Sequence, residues 1–305
     1  MIGGARPALV LVSAAAVAAV LASCGGGESR GAASDAIAFS RETGREIDIY
    51  TVSPDGSDLR RLAIKGSAET DPAWSPDGKR IAYTSGRTSG LSIWVMRADG
   101  SDRRQLTRVR GSDFMPAWSP DGGRIAFVRH VGSGFVIEVM NADGTGIHRL
   151  TRSSGREFMP AWSPAGNRIA FARTVGRSLR LFVVRADGRG ERQLISRSGG
   201  VVLEQDPAWS PDGKTIAFSS AVTKGGDRAM EIFTVDAAGG SPRRLTDNKA
   251  ADLDPSWSAS GDRIGFASDR DGDFQIYTMD RSGKGATRVT RIRGHADQGP
   301  DWRHR

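Results

Sequence analysis

Counting three residues back from each proline that opens a Trp-containing segment gives Glu69, Asp113, Glu157, Glu204, Asp252 and Asp297. All six are acidic, in a chain of 305 residues whose formal net charge is +8. Carboxylates repeated at one position and gathered on one surface would attract a protruding cation of a partner. A local reading stands beside this one, in which each carboxylate accepts backbone N–H groups in its own crossover turn. Phe114-Met115 and Phe158-Met159 follow two of the acids and offer an apolar patch, methionine being an adaptable contact residue. Arg41, Arg45, Arg87, Arg129, Arg173, Arg177, Lys224, Arg228 and Arg270 lie in loops expected on the same side. The expected field is therefore an acidic centre inside a basic rim.

Other constellations carry less chemistry. Gly27-Glu28-Ser29-Arg30-Gly31 matches the nucleophile-elbow pattern, but that serine needs a strand before it and a helix after it. A Gly-rich tether supplies neither. Asp269-Arg270-Asp271-Gly272-Asp273 resembles the start of a calcium loop, yet the twelfth position is Asp280 rather than a bidentate glutamate, so a turn is expected. His130, His148, His295 and His304 have no metal-ligand spacing. No metal, cofactor or catalytic residue is expected. The basic segments ending in Leu62, Leu106, Leu150, Leu194 and Leu245 point outward around the molecule and form no stripe for a nucleic-acid backbone. The chain has one cysteine, Cys24, so no intramolecular disulfide can form. It follows a positively charged start at Arg6 and an apolar run from Leu9 to Ala22, too short to span a bilayer comfortably. Leu21-Ala22-Ser23-Cys24 resembles the bacterial lipobox, which implies cleavage before Cys24 and lipidation of its thiol.

The elements that must position these residues repeat. Asp71-Pro72-Ala73-Trp74-Ser75-Pro76-Asp77-Gly78 followed by Ile81-Ala82-Tyr83 reads as a hairpin, with Pro and Gly fixing the turn. The Trp recurs at 74, 118, 162, 209, 257 and 302, at spacings of 44, 44, 47, 48 and 45 residues. Each unit then offers an Ile-Ala-Phe-type second strand, a third strand alternating in period two (Phe135 to Met140, for example) and a short basic fourth strand. Asp-Gly turns such as Asp99-Gly100 join the third and fourth. A period near 45 with four strands per unit predicts an all-β fold, a six-bladed β-propeller of four-stranded antiparallel blades. The first unit lacks its Trp strand and the last Trp strand stands alone. Ile37-Ala38-Phe39 should therefore pair with Pro300-Asp301-Trp302 and close the ring. The repeated Trp is expected in the packing between blades rather than as a stacking platform.

The repeat D-x-x-P-x-W-S-P-D-G-x-x-I-A-F resembles that of the TolB-type propellers, also called WD40-like or PD40, over residues 36–305. The resemblance implies a six-bladed propeller whose channel mouth binds a protein or peptide. TolB itself carries an N-terminal α/β domain, whereas here a short tether leads from Cys24 to the first blade.

The expected organisation is a lipoprotein signal peptide over 1–23, a flexible tether over 24–35 and the propeller over 36–305. The expected function is a non-catalytic, monomeric interaction module, lipid-anchored outside the cytoplasm in the bacterial cell envelope. It would bind a protein or peptide at the channel mouth through the six carboxylates and the Phe-Met pairs. The alternative is a carbohydrate-active propeller, a lyase or glycosidase. It would require a convergent His, Arg, Lys or metal set inside the mouth.

Overall fold

Two side-chain-fixed turns recur through the blades. In the first, the Gly78 N–H donates to the Ser75 carbonyl at 2.8 Å. The Ser75 hydroxyl donates to Asp77 Oδ1 at 2.6 Å and accepts the Arg80 N–H at 2.9 Å. Gly78 closes the turn at a φ of 63°, a conformation that costs glycine little. Ser119 with Asp121 and Ser210 with Asp212 repeat the arrangement. In the second turn Asp99 Oδ1 accepts both the N–H and the hydroxyl of Ser101. The turn residue Gly144 sits at a φ of 90°, and a Cβ there would lie 2.8 Å from the Leu106 carbonyl of the preceding blade. Glycine is thus required twice over, by dihedral and by close approach.

The computed structural model describes residues 35–44, 46–62, 67–87, 90–108, 111–196, 202–224 and 227–303. The expected signal peptide, Cys24, the tether up to residue 34, and His304 lie outside them. The described residues contain no helix. The first blade holds β1 (Ile37–Thr43), β2 (Glu46–Val52) and β3 (Arg60–Arg61). The second holds β4 (Ala68–Trp74), β5 (Arg80–Arg87), β6 (Gly90–Arg97) and β7 (Arg104–Gln105). Then come β8 (Asp113–Trp118), β9 (Arg124–Val131), β10 (Gly134–Asn141) and β11 (His148–Arg149). The fourth blade is β12 (Glu157–Trp162), β13 (Arg168–Val175), β14 (Ser178–Arg185) and β15 (Arg192–Gln193). The fifth is β16 (Glu204–Trp209), β17 (Thr215–Lys224), β18 (Asp227–Asp236) and β19 (Arg243–Arg244). The sixth is β20 (Asp252–Trp257), β21 (Arg263–Ser268), β22 (Gln275–Asp280) and β23 (Thr287–Arg288). The last strand, β24 (Ala296–Trp302), returns to the first blade, giving the order β24-β1-β2-β3. All blade pairings are antiparallel, and Ile37 faces Trp302 across the closure.

The core lies between blades. Ile93, Val95 and Leu106 of the second blade pack with Ile125, Phe127 and Met140 of the third. The blade tryptophans join this packing, and Trp118, Trp209 and Trp257 each donate their indole N–H to the preceding blade's first strand at 3.2 Å. At the closure, Trp302 is 2% exposed among Ile37, Phe39, Ala267 and Ile276. The Trp74 N–H donates to Asp301 at 2.6 Å, and Arg303 N–H to the Ala36 carbonyl at 2.9 Å.

Removing residues 299–305 deletes Trp302 and bares the β1 edge. Truncating one buried Trp costs about 3–5 kcal/mol, out of the roughly 5–15 kcal/mol that holds a domain together. The truncated protein should show a sharply lower thermal midpoint or aggregate during refolding; calorimetry alongside light scattering reads either result.

Candidate functional site

The six repeated carboxylates turn away from the channel. Glu69, Asp113, Glu157, Asp252 and Asp297 are 0% exposed and Glu204 is 1% exposed. Each meets an arginine. Arg41 Nε and Nη2 grip Asp297 at 2.5 and 2.7 Å, and Arg129 grips Asp113 with two bonds of 2.8 Å. Arg173 donates to Glu157 at 3.0 and 2.7 Å, and Arg270 to Asp252 at 3.0 Å. Arg103 pairs with Glu69 at 3.2 Å, and Arg180 with Glu204 at 3.8 Å. In four blades the guanidinium also lies over an aromatic ring: Arg41 on Tyr50, Arg173 on Phe182 and Arg270 on Tyr277 at 4.6 to 4.7 Å, and Arg129 on Phe127 at 5.1 Å. In two blades the other carboxylate oxygen reaches the preceding blade. Glu157 Oε2 accepts the Ile137 N–H and Glu204 Oε2 the Leu181 N–H, both at 3.1 Å.

The expected acidic mouth and basic rim are corrected accordingly. Arg41, Arg129, Arg173 and Arg270 are the internal partners of four of the acids. The backbone N–H groups capped belong to the preceding blade rather than to the acid's own turn. The set acts as a blade-to-blade fastening. A buried pair of this kind is costly to break because the survivor is left as an uncompensated charge.

The channel wall is made by a different residue of the same strand. Immediately before each blade proline stand Asp71, Met115, Met159, Asp206, Asp254 and Gly299. All six have positive φ, between 52° and 61°. The pairing of first and second strands shifts register in this stretch of all six blades. A β-bulge adds one residue and re-aims the side chain, here towards the axis. A positive φ is tolerated by Asp and strained for Met. The bulges line a cavity of about 1150 Å³, which continues past the Pro-Ala-Trp-Ser strands to Pro76, Pro120, Pro164 and Pro211.

Five carboxylates border that cavity, those of Glu42, Asp71, Asp206, Asp254 and Asp301, with His130 at its mouth. Among the described residues no Lys or Arg lines it. Asp71 accepts the hydroxyls of Thr70 and Thr84 at 3.0 and 2.8 Å, and Thr84 in turn accepts the Met115 N–H at 3.1 Å. Asp254 Oδ2 accepts the Gly299 N–H at 3.0 Å. Burial raises all four aspartates above the usual carboxylate range. Asp206 is raised well above that range, by burial first and then by the charge of Asp254. Burial brings Asp301 to about 7.

Phe114, Met115 and Met159 line this cavity, and Phe158 packs beside them. Phe135, at the start of β10, joins them: its ring lies 5.6 Å from Phe114, 5.2 Å from Phe158 and 4.9 Å from His130. Arg156 sits 5.8 Å from the same ring. Val131 and Val175, at nearby hairpin tips, are 47% and 46% exposed. Sequence reasoning missed Phe135 and His130 as site residues. The available signal was their antiparallel pairing across the hairpin, where Phe135 faces His130.

The remaining candidates sit elsewhere. Asp269 to Gly272 forms a turn, with the Gly272 N–H donating to the Asp269 carbonyl. Among the described residues no group of three His, Cys, Asp or Glu is placed to hold a metal ion.

A family model described as the TolB β-propeller domain matches residues 30–204 and 200–305. The solved TolB of Acinetobacter baumannii is 21% identical, with a TM-score of 0.76, over 88% of this chain and 67% of that one. A TolB of Agrobacterium tumefaciens is 20% identical, with a TM-score of 0.67, over 88% of this chain and 92% of its own. An oligogalacturonate lyase of Vibrio parahaemolyticus is 10% identical, with a TM-score of 0.56, over 80% and 74%. At such identities these structures share the fold.

Two measurements separate fastening from channel. Asp297→Asn should cost about 3–5 kcal/mol in urea melts, and the apolar pair Arg41→Met with Asp297→Leu should recover much of it. Asp301 behaves oppositely. Its folded-state pKa of about 7 lies above the ordinary 3.8, so between those values the folded protein holds a proton that the unfolded chain has released. Stability therefore falls as pH climbs through that window. Asp301→Asn should raise the melting temperature at pH 8 and leave it unchanged at pH 3.5.

Proposed function

The chain belongs to the TolB β-propeller domain family, and from that membership and the lining of its channel we propose that it is a non-catalytic docking module. Its mouth receives a protein or peptide segment. One observation carries the reading. Half-buried aromatic and methionine side chains gather on two adjacent blades at the open end of a cavity wide enough for a peptide side chain. Phe114, Met115, Phe135, Phe158 and Met159 supply the apolar contact, and rigid aromatics carry disproportionate binding energy at interfaces. The six fastening carboxylates contribute by holding the blades that present this surface. The charge of the cavity argues against the carbohydrate-active alternative in one respect: a polyuronate such as oligogalacturonate would meet five carboxylates and, among the described residues, no lining Lys or Arg.

In the same proposal the propeller works outside the cytoplasm. Leu21-Ala22-Ser23-Cys24 supports a lipid anchor on Cys24 in the cell envelope, and the Gly-rich segment after it supports a flexible tether.

Photo-crosslinking in living cells tests the docking surface. A photoreactive residue in place of Phe158 should yield a discrete adduct with an envelope protein. The same residue in place of the outward-facing Arg243 should yield none. Equal labelling at both positions, or none at Phe158, would remove the mouth as the docking surface. For the anchor, wild-type protein should stay with membranes through carbonate washing, and Cys24→Ala should be released.

A further inference from the structure

The bulge residues divide the channel wall into two unlike arcs. Met115 and Met159 face the axis from the third and fourth blades. Asp206, Asp254 and Asp71 face it from the fifth, sixth and second. The first blade contributes Gly299, where a Cβ would meet nothing within 4 Å. That gap lies between Asp254 and Asp71, and Asp71 is one of the charges that raise Asp254. The arcs join at Met159, whose sulfur accepts the Asp206 N–H at 3.4 Å. The Oδ2 atom of Asp206 is buried without a hydrogen-bond partner. A buried acceptor left unmade is costly and calls for an explanation.

We propose that the acidic arc is a subsite for the ammonium group of a lysine side chain, carried by the same segment that seats an apolar residue on Met115, Met159 and Phe135. This rests on the docking reading above and names the chemistry of the occupant. Charge complementarity is the first argument. In a chain of net charge +8, this wall is bordered by carboxylates and, among the described residues, by no Lys or Arg. Shape is the second. A lysine carries its charge on a flexible apolar stem with three donors at its end. The stem suits the Pro, Ala and Trp wall, and the donors suit Asp254, Asp71 and the unmet Oδ2 of Asp206.

The groups facing the pair fix the sign of the pH response. Asp206 is faced by Asp254, Gln205 and Ser219, and Asp254 by Asp206, Asp71 and the Gly299 N–H. Both acids lie above the ordinary carboxylate range through burial, so the empty site retains protons. An ammonium must replace a proton, and affinity therefore rises with pH as the pair ionises.

The probe is acetyl-Phe-Gly-Lys-Gly-amide, titrated calorimetrically into the full chain. It should bind at least tenfold more tightly than the analogue with norleucine in place of lysine. Binding near pH 6 should release protons, seen as a heat that depends on the ionisation enthalpy of the buffer. The double variant Asp206→Asn with Asp254→Asn should abolish the preference for lysine while melting no lower than wild type, since it removes the repulsion between adjacent acids and keeps an acceptor oxygen for the Gly299 N–H. Equal binding of lysine and norleucine peptides would overturn the subsite and leave docking intact. Tighter binding of an arginine peptide, or loss of the lysine preference on adding calcium alone, would assign the arc to another cation. Absence of peptide binding at millimolar concentration would overturn the subsite, whereas failure of the Phe158 crosslink is what removes the docking surface.

Discussion

The structure depends on a buried carboxylate fastened on two sides. Glu157 holds Arg173 of its own blade with one oxygen and the Ile137 N–H of the preceding blade with the other. The threonine hydroxyl of Thr151, also in the preceding blade, donates to the same oxygen as Ile137. One side chain thereby helps set the angle between two sheets that otherwise meet mainly through apolar side chains. At the closure Asp297 instead spends both oxygens on Arg41, tying together two strands of one blade that come from opposite ends of the propeller sequence. The pair is worth little as net stabilisation, because taking two charges from water costs much of what their attraction returns. What it provides is a geometry that fails steeply when either partner is lost.

The repeat, the four strands of each unit, the pairing of Ile37 with Trp302 and the role of the tryptophans were legible from spacing alone. Turn chemistry and hydrophobic period agree at every unit, and consistency of that kind makes a fold readable. The direction of the acids was not legible. Along a regular strand the residues three and one before the proline share a face, so Glu157 and Met159 would point the same way. The bulge inserts a residue between them in register terms. Phe158 and Met159 are consecutive half-buried positions, while Glu157 and Pro160 on either side are buried. Parity inverts at that point, sending the glutamate into the blade and the methionine to the axis. Nothing local announces this inversion, because a residue before proline is ordinarily biased towards extended backbone.

The same inversion explains why the channel tolerates acids that weaken the fold. Asp71, Asp206 and Asp254 occupy a backbone position whose side chain leaves the blade core, so their ionisation disturbs the wall rather than the packing. Asp301 reaches the wall differently, from the strand-one position held elsewhere by Ala73, Ala117, Ala161, Ala208 and Ser256, and its carboxyl is tied to the Trp74 backbone. A half-buried acid without a counter-charge is a standing cost. Four of them line one cavity, and a cationic visitor would offset that cost.

Six repeats within one chain give an internal control on which positions the fold dictates. Three residues before the proline every unit has an acid, and two after it every unit has Trp, because both contact neighbouring blades. One residue before the proline the units read Asp, Met, Met, Asp, Asp and Gly. All six adopt the same positive φ despite this variety. Backbone geometry there is imposed by the bulge, and side-chain identity is released from it. Asp and Gly enter the left-handed region readily, but Met does so against its preference, and the two methionines are adjacent in the ring beside Phe114, Phe135 and Phe158. Strain accepted twice in succession, at the place where the wall is apolar and open, marks the side chain rather than the turn as what those two blades require.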